Sequence, residues 1–255
     1  MTRNKDNKPL FNFMLVFPVF LVLLFLSFAN QNIVTLLISK NRQDWLLDMI
    51  GLFFQGIIIP ILQITIVFQL YNYLLPSLKS TLILHPLIAF SLSFICVDYL
   101  YYWNHRLFHT PWLWSVHKVH HTVTAMDVVG TSRNTLWTSF LIIYLWVHSL
   151  FIYLLQDPTW YIFGASLTSA LDLWRHSTFT PQPTSIIYRL LALWLIVPQD
   201  HAWHHARNYE GGNYGANFKI WDKMHGTYSD NQKEPEILGA ISNLSLSQKL
   251  FFPFI

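Results

Sequence analysis

Nine of the twelve histidines stand in short groups: His105 and His109 in HRLFH, His117, His120 and His121 in HKVHH, His201, His204 and His205 in HAWHH, and His176 between the last two. Neutral imidazole is a ligand for iron, zinc, copper and nickel, and a set this rich in nitrogen excludes magnesium and calcium. On a helix, His105 and His109 share a face, with about 5–6 Å between their Cβ atoms. The two HxxHH groups offer spacings of three and four, so each presents at least two ligands to one side. Nine imidazoles exceed one coordination sphere, which points to two metals. The surroundings of His176 leave it open as a ligand, whereas the scattered His85, His148 and His225 read as core or interfacial residues.

These groups must be positioned by something apolar. Of the 255 residues, 53% are hydrophobic and 11% charged, a balance that departs from soluble domains. One cysteine, Cys96, excludes an internal disulfide and a thiolate metal cluster. The net charge of +3 is spread along the chain, so nucleic acid is not an expected partner.

A span needs about 20 apolar helical residues. Leu10 to Ala29 meets that length and also reads as a signal segment, given Arg3, Lys5 and Lys8 ahead of it. Trp45 to Leu75, interrupted by Gly51, Gly56 and Pro60, reads as one kinked helix or two half-spans. Thr81 to Trp103 leads into the first histidine group and carries Asp98, which either pairs with Arg106 or orients a histidine. Thr135 to Leu155 and Thr159 to Trp174, separated by Gln156-Asp157-Pro158, predict a helical hairpin that returns His176 to the face holding His117 to His121. Ten of the sixteen Lys and Arg residues lie from Arg106 onward, which puts that face on the cytoplasmic side.

The expected fold is therefore all-α: an integral membrane helical bundle of about four to six membrane helices with a cytoplasm-facing, histidine-rich metal site. The expected segments are 1–80 (N-terminal membrane helices), 81–230 (catalytic) and 231–255 (tail).

HRLFH, HKVHH and HAWHH resemble the histidine boxes of the fatty acid hydroxylase superfamily, also called the sterol desaturase family. Asp98-Tyr99-Leu100-Tyr101-Tyr102-Trp103, Val197-Pro198, Asn213-Tyr214-Gly215, Trp221-Asp222 and Gly226-Thr227-Tyr228 resemble further family features, so the likeness runs from about Asp98 to Tyr228. Within the family the layout is most similar to the alkylglycerol- and sterol-modifying members. The resemblance implies a non-haem centre of two iron ions that uses O2 to hydroxylate a lipid C–H bond, with His176 added to the ligands. Desaturation by the same centre is the alternative, and a metal-transporting or metal-storing membrane protein is the alternative from another class. Two departures stand out. Asp127 is the candidate for a catalytic carboxylate expected after the second box, in a different register, and His225 stands where the family carries Phe. With no GxGxxG or CxxCH motif, the electrons are expected from a separate donor, protein or small reductant. The lipid's polar head is expected near Arg133, Arg175 or Arg207, in the endoplasmic reticulum or a bacterial inner membrane.

Overall fold

The computed structural model describes residues 10–30, 35, 38–207, 211–231 and 233–254. The basic leader Arg3, Lys5 and Lys8 lies outside them. Among the described residues the chain is helical and forms no strand; only isolated bridges such as Leu82 to Leu155 occur.

Helix α1 spans Leu10–Asn30. It packs on the rest of the chain, burying Leu23 with Val128, Val129 and Leu173. Helix α2 runs from Arg42 to Leu74. Asn41 caps it by accepting the Asp44 N–H at 2.9 Å, and Pro76 stops it soon after Leu74. The glycines and Pro60 do not split it into half-spans. Two π-helical stretches, Phe54–Ile58 and Gln63–Val67, flank the proline turn, so the helix absorbs the missing N–H of Pro60 by widening rather than breaking.

Helix α3, Pro86–Phe108, begins with proline at its first position and His85 as cap, whose Nδ1 accepts the Leu87 N–H. Both α2 and α3 are long and apolar enough to cross a membrane. On α2 the large apolar side chains Phe53, Ile57, Ile61, Ile64 and Leu70 stay exposed, a surface suited to lipid rather than water.

The predicted hairpin forms from helices α4, Ile143–Leu154, and α5, Thr159–Arg175. The Asp157 carboxylate accepts the Thr159 N–H at 3.1 Å and starts the return. The first arm is shorter than the apolar run suggested, because Thr138–Leu141 is a separate turn and Ile142 is extended. Helices α6 (Ile186–Trp194), α7 (Pro198–His204), α8 (Ile220–Met224) and α9 (Leu246–Phe251) complete the chain.

Three apolar clusters join these parts: Leu23 with Leu173, Ala89 and Val97 with Leu155 and Tyr161, and Leu47 with Val119 and Leu250. The last ties α2 to the loop carrying the second histidine group. Gly51 belongs to that contact, since a Cβ there would run into the Ser132 carbonyl.

Candidate metal centre

The nine clustered histidines converge into two sets of donors. His105, His109, His117, His121 and His204 form one, and His120, His176, His201 and His205 the other; within each, candidate ligand atoms lie within 4.8 Å of one another. Each HxxHH group is divided between them. His117 and His121, four apart on one face, enter the group of five, while His120 turns to the group of four. The third motif mirrors this: His201 and His205 enter the group of four and His204 crosses to the five. His105 and His109 come from the end of α3, and His176 caps the C-terminus of α5.

Backbone carbonyls fix several rings. Nδ1 of His105 meets the Tyr214 carbonyl at 2.8 Å, His204 that of Gly212 at 2.8 Å, His120 that of Arg133 at 3.2 Å and His176 that of Asp172 at 2.8 Å. A carbonyl only accepts, so each of these Nδ1 atoms carries the hydrogen and leaves a lone pair on Nε2.

These donors fit metal ions. The Nε2 atoms of His120 and His176 are 3.4 Å apart, and with both Nδ1 atoms protonated two lone pairs face each other, which a cation reconciles. Other Nε2 pairs are similar: His105 to His117 at 3.1 Å, His117 to His121 at 3.2 Å, His176 to His201 at 2.9 Å and His201 to His205 at 3.2 Å. Nitrogens about 2.0–2.1 Å from one ion stand roughly this far apart. Buried Nε2 atoms of His109 and His204 have no protein partner. Burial, and then neighbouring imidazoles, hold His109 at about 2, and burial first holds His120 and His204 at about 3. The same causes lower His117, His121, His201 and His205. Neutral imidazole is the ligating form.

Asp127 stands outside both groups. Its carboxylate lies 2.7 Å from Lys40 Nζ and accepts the Val129 and Gly130 N–H groups. Lys40 also reaches Asp48 at 2.6 Å, and Arg133 contacts Asp48 at 2.6 Å and Asp44 at 3.0 Å. Half-buried Lys249, 3.8 Å from Asp44, joins the buried Lys40, Arg133, Asp44, Asp48 and Asp127 to make a set of three cations and three carboxylates. Arg133 supports the second motif at two points, through its carbonyl to His120 and its guanidinium to the Thr122 carbonyl at 3.1 Å.

Several sequence expectations are corrected here. Arg133 and Arg175 are not at a lipid-head surface: both are buried, and Arg175 binds Asp172 at 2.6 Å and the Ala216 carbonyl. Arg207 differs from them: it stays exposed and its side chain donates only its Nε–H, to the Gly239 carbonyl, so burial does not remove it from a lipid-head surface. Asp98 neither pairs with Arg106 nor orients a histidine. It accepts from Trp221 Nε1 at 2.6 Å and the Asn217 N–H at 2.8 Å, fastening the loop before α8 to α3. His225 bonds the Tyr99 hydroxyl at 3.2 Å, outside both groups.

Sequence reasoning missed the carbonyls of Gly212 and Tyr214. The signal was the segment Gly211–Gly215, where Gly211 and Gly212 take φ of 104° and 140°, values that favour glycine. Asp222 holds this segment by accepting the Tyr214 and Gly215 N–H groups.

A cavity of about 300 Å³ reaches both groups. His120, His176 and His201 line it from the group of four, His105 and His117 from the five; it extends along Gln55 and Pro60 of α2, Tyr144 and Leu145 of α4 and Ala165 of α5.

Helices carrying two adjacent polyhistidine donor sets beside a cavity form a class of site that could hold two metal ions side by side. Residues 90–227, more than half of the chain, match the fatty acid hydroxylase family model, and the chain belongs to that family. It is 25% identical over 164 residues to alkylglycerol monooxygenase of Caenorhabditis elegans, covering 62% of this chain and 30% of that protein. It is 31% identical over 144 residues to an ornithine lipid hydroxylase of Rhizobium tropici, covering 54% and 40%. With methylsterol monooxygenase 2-1 of Arabidopsis thaliana it shares 26% identity over 160 residues, covering 52% and 53%. The alignments thus span from under a third to about half of these relatives. No solved structure matches the chain.

Proposed function

We propose that this chain is a membrane-embedded oxygenase with two iron ions, one in each histidine group, that hydroxylates a C–H bond of a lipid. The observation that carries this reading is that one cavity touches both donor sets. An unactivated C–H bond offers no acidic proton and no carbonyl, so side chains alone cannot attack it; bound iron supplies the capacity to use O2 as oxidant. The balance is one lipid C–H, one O2, two electrons and two protons, giving one C–OH and one water. A separate electron donor provides the electrons.

The chain's own residues position and exclude. Carbonyls at Tyr214, Gly212, Arg133 and Asp172 aim the imidazoles, and such outer partners raise ligand basicity and fix orientation. Helices α2, α4 and α5 wall the cavity with mixed apolar and hydroxyl groups. At about 30 Å³ per water-sized unit, it holds roughly ten heavy atoms, so it takes the reacting segment of a lipid while the rest lies outside. Segment 81–230 is the catalytic portion in this reading, with α2 closing the cavity. The donor groups face the cytoplasm, in the endoplasmic reticulum or a bacterial inner membrane.

The test is comparative lipid extraction from cells with and without the chain, with iron analysis of purified protein. A product about 16 mass units heavier than its precursor supports hydroxylation, and one about 2 units lighter supports desaturation by the same centre. Metal uptake into vesicles with no lipid product would overturn the oxygenase reading in favour of metal transport.

A further inference from the structure

Helix α6 has one apolar face, and among the described residues nothing covers it. Ile186, Ile187, Leu190, Leu193 and Trp194 are each between 58% and 70% exposed. At 100° per residue they fall within an arc of about 120°. The opposite flank, Tyr188 and Ala192, walls a second cavity of about 340 Å³ shared with Gln199, Lys219 and Lys223. Arg189 also borders it, at the edge of the apolar arc. Asp200, a further wall residue, is already engaged by Lys219 at 2.9 Å and by the Tyr228 hydroxyl at 3.2 Å. Asp230 lines the cavity too, so Arg189, Lys219 and Lys223 face two carboxylates, Asp200 and Asp230, and the wall keeps a surplus of one cation. On neighbouring α8, Ile220 and Met224, one turn apart, are exposed as well.

We propose that α6 lies in the plane of a lipid surface, its apolar arc in the acyl boundary and the Arg189 and Lys223 cavity taking the phosphate of an anionic lipid headgroup. Nine residues extend about 13 Å, too short to cross roughly 30 Å of hydrocarbon. A short helix with a wide apolar face, a terminal tryptophan and flanking cations has the makeup of an interfacial element. Charge complementarity selects the anionic headgroup as the occupant. The inference rests on the reading that the chain works in a membrane, and it adds where the bilayer boundary meets the helix preceding the third histidine group.

The experiment uses the full chain in nanodiscs, with Cys96→Ser removing the exposed native thiol. Spin labels are placed through Ile187→Cys, Leu190→Cys or Leu193→Cys, and through Gln182→Cys ahead of the helix as reference. In discs of phosphatidylcholine with a third phosphatidylglycerol, the ratio of collision with oxygen to collision with a water-soluble nickel complex should be several-fold higher at the three helix positions than at 182. Arg189→Glu with Lys223→Glu should lower that ratio in the anionic discs and leave it unchanged in pure phosphatidylcholine, while an unaltered thermal midpoint shows the fold intact. Nickel access at the helix equal to that at 182 overturns the proposal. So does strong spin coupling between copies, which would assign the face to a second chain, and indifference to anionic lipid overturns the phosphate site. None of these readouts involves iron or turnover, so their failure is separable from failure of the oxygenase reading.

Discussion

The group of five histidines and the group of four draw on different scaffolds. The five are steered from the C-terminal side, where the glycine-containing loop presents the Gly212 and Tyr214 carbonyls to His204 and His105. The four are steered from the membrane-helix side, where Arg133, locked between Asp44 and Asp48 of α2, aims His120, and Asp172 of α5 aims His176. The four also line the cavity with three members against two from the five. One donor set is thus coupled to a loop, the other to helices that wall the cavity. Their shared chemistry conceals two separate mechanical supports.

The sharpest way to break this comparison is to remove one ligand from each set. His120→Ala and His204→Ala should each lower O2-dependent product by more than about 100-fold, beyond the loss expected from an outer partner. Iron analysis separates the sets: His176→Ala takes one donor from four, His109→Ala one from five, so the His109 variant should retain more iron. Equal retention would show that the fifth donor adds nothing.

Arg133→Met leaves the buried Asp48 without its guanidinium partner. It should cost about 3–5 kcal/mol in unfolding free energy and deplete iron from the group of four first. Gly212→Ala strains a backbone held at positive φ by about 1–3 kcal/mol and should act on the group of five. Thermal midpoints alongside spectra of the iron centre would reveal whether the two variants affect different ions; identical spectral changes would refute separate supports.

Acid should act on both sets at once. His120 and His204 sit at about 3 when folded, against about 6.5 unfolded, so the unfolded chain binds more protons. Stability is full above about pH 6.5 and declines as pH falls towards 3, by about 1 kcal/mol per histidine near pH 5.5. Denaturation of metal-free protein across that range measures it, and a flat profile would contradict the burial of the imidazoles.

Much of the site was legible because metal chemistry limits the choice of residue types and helical geometry limits the spacing. The histidine set, the long apolar segments and the hairpin ahead of His176 could be read from one sequence. The split of each HxxHH motif could not, because spacing specifies which side chains share a face but not where a neighbouring helix lies. The Lys40, Asp48 and Arg133 contacts were hidden for a related reason: Arg133 and Asp48 are 85 positions apart, and an Arg in an apolar chain looks like a surface anchor until its partners are placed. Asp98 misled similarly, since its nearest cation in sequence, Arg106, turns to the Tyr102 hydroxyl instead. Backbone carbonyls leave no trace in residue identity except through the glycines that aim them.

The π-helical turns of α2 bear on how this cavity could change. Gln55, Ile59, Pro60 and Gln63 all face it, within or beside those turns. A π turn accommodates one residue more than the α-helical register. Deleting a single residue there would restore that register and leave the flanking turns facing as they do, changing the cavity wall locally while leaving every histidine in place. On the proposed oxygenase reading, lineages could thus adjust the substrate cavity by a one-codon deletion, without trial substitutions around the histidines.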